Sequence, residues 1–180
     1  MTTANIITIA RILLVPVFVF FATAFPGESR ELIAAGIFLF ISLTDFLDGY
    51  IARKYNQVTD FGKFLDPLAD KILVISAFVI FVSQGKLSPI ITIVVIAREF
   101  LVTSIRLVAA GKGTVIAASM SGKLKTVSQI ICVMAILLEE LLCKIVVLPY
   151  GLIFSWVMLA FTVYSGLEYM IMNRKVISFE

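Results

Sequence analysis

Six apolar stretches, roughly residues 5–25, 31–53, 61–83, 87–110, 120–142 and 146–170, fill nearly all of this 180-residue chain. Each is close to the ~20 residues that a helix needs to cross the hydrocarbon core of a bilayer. Composition agrees: 61% of the residues are hydrophobic and 15% charged, against roughly 45–50% and 25% in soluble domains. A soluble core of this size would leave broad apolar surface facing water. The expected fold is therefore an all-α integral membrane protein with six transmembrane helices. It forms a single membrane domain over residues 1–180, with no length left for a separate soluble domain. The breaks have local causes: Pro26-Gly27, Gln84-Gly85-Lys86, Gly111-Lys112-Gly113, and Pro149 near the start of the sixth stretch.

An even number of spans puts both termini on one side, and charge decides which. With the termini inside, cytoplasmic ends and loops hold Arg11, Arg53, Lys54, Lys63, Arg106, Lys112, Lys123, Lys125, Arg174 and Lys175, while the opposite side holds only Arg30, Lys86 and Lys144. This is a positive-inside pattern, so both termini are expected in the cytoplasm. Residues 1–24 have some features of a cleavable signal, but Arg11 sits late and cleavage would leave five spans. The net charge of +3 gives little support to a nucleic-acid role. Cys132 and Cys143 lie about 16 Å apart along a helix, too far to bridge. The chain has no histidine, so acid–base chemistry must come from carboxylates, lysines or tyrosines.

Four carboxylates stand out against the apolar background. Asp45 and Asp48 are three residues apart and Asp66 and Asp70 four apart, so each pair shares one helix face. A carboxylate deep in a span costs about 2.5–3.5 kcal/mol on insertion scales, and four at full depth on the order of 10–14 kcal/mol. Ion pairs with Arg53, Lys63 and Lys71 offer a structural explanation. Four acids on two consecutive helices would still repel one another, and divalent cations compensate them better. Mg²⁺ prefers carboxylate, water and phosphate oxygens, and two ions about 3.5–4 Å apart can clamp both the attacking and the leaving oxygen of a displacement. Gly49, Ala52 and Gly62 either let helices pack closely or let a bulky ligand approach the backbone. Arg53 is either a topology anchor or a phosphate contact.

The same residues carry a family resemblance. Asp45, Asp48, Gly49, Ala52, Arg53, Gly62, Asp66 and Asp70 reproduce every element of the CDP-alcohol phosphotransferase motif: Asp, two residues, Asp-Gly, two residues, Ala-Arg, eight residues, Gly, three residues, Asp, three residues, Asp. The resemblance implies transfer from a CDP-activated lipid with release of CMP. It also implies a dinuclear Mg²⁺ or Mn²⁺ site on the four aspartates, with Asp70 as proton acceptor and an active site at the cytoplasmic side of the bundle. Gly49, Arg53 and Thr59 fall where relatives hold the CDP-lipid. Ala52 and Gly62 are grouped with them, and Asn5 and Thr8, with Arg11, are candidates for the cytidine end. Asn5 and Thr8 could equally well start the first helix.

The opening Asn5-Ile-Ile-Thr8-Ile-Ala-Arg11, together with Arg98-Glu99-Phe100 and Gly122-Lys123-Leu-Lys125-Thr126, is similar to the branch of the family that joins CDP-diacylglycerol to sn-glycerol 3-phosphate. The acceptor's phosphate then needs its own cations, and Arg98, Arg106, Lys123 and Lys125 are the candidates. Interface anchoring is the alternative for Arg106 and the lysines, and an intramembrane ion pair with Glu99 for Arg98. The resemblance further implies a homodimer in a bacterial-type cytoplasmic membrane. Two rivals stay open: a sister enzyme accepting inositol phosphate, serine or phosphatidylglycerol, and a divalent-cation transporter whose aspartates conduct.

Overall fold

A computed structural model describes the backbone of residues 3–24, 28–54, 60–111, 113, 116 and 119–174, and side chains at 8–24, 29–44, 69, 71–111, 113, 116 and 119–174. The described residues form helices and no strand. In chain order the helices are α1 (Thr3–Thr23), α2 (Glu28–Lys54), α3 (Asp60–Ser83), α4 (Pro89–Gly111), α5 (Met120–Leu137), α6 (Glu139–Cys143) and α7 (Tyr150–Met172).

The punctuation residues act largely as their chemistry requires. Gly85 has φ +70°, a conformation that costs a side-chain-bearing residue about 1–2 kcal/mol. There it closes α3: the N–H groups of Lys86 and Leu87 both donate to the Phe81 carbonyl, at 2.9 and 3.2 Å. Pro89 opens α4, where its missing N–H would have had no intrahelical partner. Pro149 is the residue just before α7. At the start of α5 the Ser119 hydroxyl accepts the Gly122 N–H at 3.1 Å, satisfying one of the first-turn donors that have no helical partner.

One boundary differs from expectation. The fifth apolar stretch does not run unbroken from 120 to 142: Leu138, with φ −99° and ψ 7°, separates α5 from the short α6. Glu139 and Glu140 occupy the first turn of α6, where carboxylates meet the positive end of a helix dipole. Glu139 also accepts the Gly151 N–H at 3.2 Å, tying the turn to the start of α7.

Short connections make the six long helices alternate in direction. α1 packs on α2 and α3; α5 packs most extensively on α7 and also on α2 and α3; α4 lies against α7 and α3. The core among them is built from Phe18, Phe38, Phe78, Phe81, Ile41, Val95, Val133, Ile136 and Met158, all fully or almost fully buried. Phe18 and Phe38 meet with ring centroids 5.7 Å apart. Large apolar side chains also cover the outside, among them Leu13, Phe40, Ile93, Phe100, Ile131 and Trp156. Among the described residues two helices, α5 and α7, are long and apolar enough to cross a bilayer. An apolar exterior of this kind over an all-helical bundle suits a membrane protein.

Candidate active site at one end of the bundle

The alternation brings the C-terminal halves of α2, α4 and α7 to the same end as the N-terminal halves of α1, α3 and α5. Nearly all the sequence-predicted site residues fall in these segments. Asp45, Asp48, Gly49, Ala52 and Arg53 lie on α2, Gly62, Asp66 and Asp70 on α3, and Asn5 on α1. Their side chains are outside the described residues, and so is Thr59 altogether. Thr8 and Arg11 are buried on α1. The metal-ligand and CDP-lipid expectations therefore have a helical address but no side-chain geometry.

The acceptor candidates are described in full. Glu99 on α4 is 7% exposed and Lys125 on α5 4% exposed, and the Lys125 ammonium donates to Glu99 Oε1. Arg98 Nη1 donates to the same oxygen at 3.3 Å. One carboxylate oxygen therefore holds two cations from two helices, and the Arg98–Glu99 ion pair, the alternative to a phosphate contact for Arg98, is present. Ser128 Oγ donates to the Lys125 carbonyl at 2.7 Å. Lys71, the residue after Asp70 on α3, donates to Thr103 Oγ1 on α4. The Thr103 hydroxyl in turn donates to the Glu99 backbone carbonyl at 2.7 Å.

The outer candidates sit differently. Arg106 is exposed and lies over the Tyr169 ring, 5.6 Å from its centroid. Tyr169 itself is 4% exposed. Lys123 is exposed. Arg98 and Lys125 thus form an inner pair held by Glu99, while Arg106 and Lys123 stand at the rim. The structure joins Arg98 to Lys125 through Glu99; no described contact joins Lys123 to that pair.

Two of the buried polar atoms at this end belong to Arg98 and to the tyrosine beneath Arg106. Arg98 Nε and the Tyr169 hydroxyl have no hydrogen-bond partner among the described residues. An orphaned buried donor costs free energy, so such atoms beside a cation cluster are natural places for a ligand. The packing is close as well: a Cβ at Gly166 of α7 would lie 3.1 Å from Arg98 Cγ. Glycine there lets the arginine stem pass across the helix. Sequence reasoning did not find Tyr169, Thr103 or Gly166, because nothing in their neighbourhood along the chain marks them.

An all-helical bundle, a cation cluster and the aspartate motif at one end define a class. The chain belongs to the CDP-alcohol phosphatidyltransferase family, whose sequence model matches residues 1–164. Among its relatives is the CDP-diacylglycerol–glycerol-3-phosphate 3-phosphatidyltransferase of Bacillus subtilis, 48% identical over 94% of this chain and 93% of the relative. The Rickettsia typhi protein of the same name is 37% identical over 92% of this chain and 93% of its own length. A protein of Mycobacterium tuberculosis called probable phosphatidylglycerophosphate synthase is 40% identical over 72% of this chain and 63% of its own.

Proposed function

We propose that the protein transfers the phosphatidyl group of CDP-diacylglycerol to sn-glycerol 3-phosphate, giving phosphatidylglycerophosphate and CMP. What supports this reading is that the helical segments carrying the eight-residue aspartate–glycine–arginine motif run to the same end of the bundle as a cation cluster suited to a second phosphate. The names of the relatives, at 37–48% identity over more than nine-tenths of the chain, support the same acceptor.

Asp70 accepts the proton of the 1-hydroxyl of glycerol 3-phosphate. The oxygen bonds to the lipid-side phosphorus, the phosphorus–oxygen bond to CMP breaks, and CMP leaves. Asp45, Asp48, Asp66 and Asp70 would hold the metal. A donor set of four carboxylates, in a chain without histidine, fits a hard oxygen-seeking cation such as Mg²⁺ or Mn²⁺. Two such ions, when bound, supply charge neutralisation at the pyrophosphate. Gly49, Ala52, Arg53, Thr59 and Gly62, with Asn5 and Thr8, hold the CDP-lipid. Arg98 and Lys125, assisted from the rim by Arg106 and Lys123, take the acceptor's phosphate. Phosphoryl transfer asks mainly for positioning and charge stabilisation, which these groups provide without a histidine.

In this reading the six long helices are spans of a cytoplasmic-type membrane and the protein is a homodimer. Both termini and the catalytic end face the cytoplasm, where glycerol 3-phosphate is dissolved. The excess of lysine and arginine at that end supports the orientation.

The test is direct. Purified protein is incubated with CDP-diacylglycerol, Mg²⁺ and, separately, glycerol 3-phosphate, inositol phosphate, serine and phosphatidylglycerol, and the lipid products are identified by mass spectrometry. Phosphatidylglycerophosphate alone is expected, with activity lost to a chelator and restored by Mg²⁺. Equal or better use of another acceptor refutes the assignment.

A further inference from the structure

We infer that Glu99 is a positioning residue for the acceptor phosphate, fixing Lys125 and Arg98 so that their free donors converge; this rests on the acceptor role given to those two cations above. The Glu99 carboxylate takes Lys125 from α5 and Arg98 from its own helix on a single oxygen, and its backbone carbonyl is bonded to Thr103, which receives Lys71 from α3. Three helices are thus linked through Glu99 and Thr103.

The donor count explains why the arrangement suits a ligand. A lysine ammonium has three donors and an arginine five. Lys125 directs one to Glu99, Arg98 directs one of its terminal N–H groups there, and Arg98 Nε is buried without a partner among the described residues. The remaining donors are therefore gathered around one carboxylate oxygen in a nearly dry setting. A phosphate monoester, with several charged oxygens, matches such a fan of N–H groups. Lysine and arginine are the side chains with the most rotamer freedom to lose. A carboxylate that fixes both heads before the substrate arrives removes much of that loss from the binding step.

Charge alone leads to the opposite expectation. Glu99 is an anion beside the site proposed for another anion, so a simple Coulomb effect would make its removal tighten glycerol 3-phosphate. Positioning makes its removal weaken glycerol 3-phosphate, because a buried and a half-buried cation left together repel and separate. The sign of the change tells the two apart.

The experiment measures steady-state kinetics of wild type, Glu99→Gln and Glu99→Asp with each substrate varied in turn, alongside thermal unfolding in detergent. Glu99→Gln is expected to raise the KM for glycerol 3-phosphate by about tenfold or more, ~1.4 kcal/mol, with the KM for CDP-diacylglycerol within about twofold. Glu99→Asp keeps the charge but withdraws it by one methylene, and its glycerol 3-phosphate KM should fall between the two. A glycerol 3-phosphate KM that is unchanged or lowered in Glu99→Gln overturns the inference. So does an equal rise in both KM values, the mark of a purely structural residue. If Glu99→Gln does not yield folded protein, Glu99→Asp decides: a rise of about threefold confined to glycerol 3-phosphate supports positioning, and no rise refutes it. A wild-type enzyme that does not use glycerol 3-phosphate at all would instead bring down the acceptor assignment itself.

Discussion

The two ends of the bundle are both stitched by buried carboxylates, yet they are stitched to different purposes. At the far end Glu31 of α2 is buried and meets Lys86, in the turn after α3, at 2.5 Å, with Arg30 at 3.4 Å. The Gln84 amide donates to the Ala22 carbonyl at 3.1 Å, and Glu139 takes the Gly151 N–H. The cavity beside Glu31 is only about 10 Å³, lined mostly by leucines, and holds one water at most. That end is a closed clasp. At the near end Glu99 has two cations on one oxygen, and both a guanidinium N–H and a phenol are left buried without described partners. A region built only for stability tends to satisfy its polar groups, and these unpaired donors set the near end apart from the clasp.

Three measurements sharpen this contrast. The largest effect belongs to Asp70→Asn, which should lower kcat by about a thousandfold, the scale of a lost general base, while the unfolding midpoint in detergent stays near that of wild type. Near-normal turnover would remove Asp70 from the chemistry and blur the distinction between the ends. Next is Gly166→Ala, which sets a methyl group against the Arg98 stem. A rise of a few-fold in the KM for glycerol 3-phosphate is expected, from a packing strain of about 1 kcal/mol. An unaltered KM would mean that Arg98 can shift without consequence. The smallest catalytic effect is expected at the far end. Glu31→Gln should leave kcat/KM for both substrates within about twofold, yet lower the unfolding midpoint by a few degrees, as a loss of about 1 kcal/mol does. A large loss of activity there would show that the clasp also serves the reaction.

Much of the architecture was legible in the chain because its signals are local. Hydropathy marked the long helices, and Gly85, Pro89 and Pro149 sit at their boundaries for reasons visible within a few residues. The break at Leu138 was not legible, because an apolar residue stands at the junction and the restart depends on Glu139 reaching Gly151 on another helix. The site divides in the same way. The aspartate motif and the adjacent Arg98–Glu99 pair can be read along the sequence. The Lys125–Glu99 and Lys86–Glu31 pairs join residues 26 and 55 positions apart, and no periodicity encodes which helices become neighbours. Tyr169 under Arg106 and Gly166 under Arg98 were hidden for the same reason. Ordinary-looking residues of α7 gain meaning only once α4 lies on it.

The hydroxyl of Thr103 has a consequence of its own. It receives the side chain that follows Asp70 and donates to the backbone of the residue that steadies Arg98 and Lys125. In the proposed reaction one reactant arrives sideways out of the lipid and the other from solution. A single small alcohol then joins the helix that serves the greasy partner to the helix that serves the dissolved one, and keeps the seam between those two phases in register.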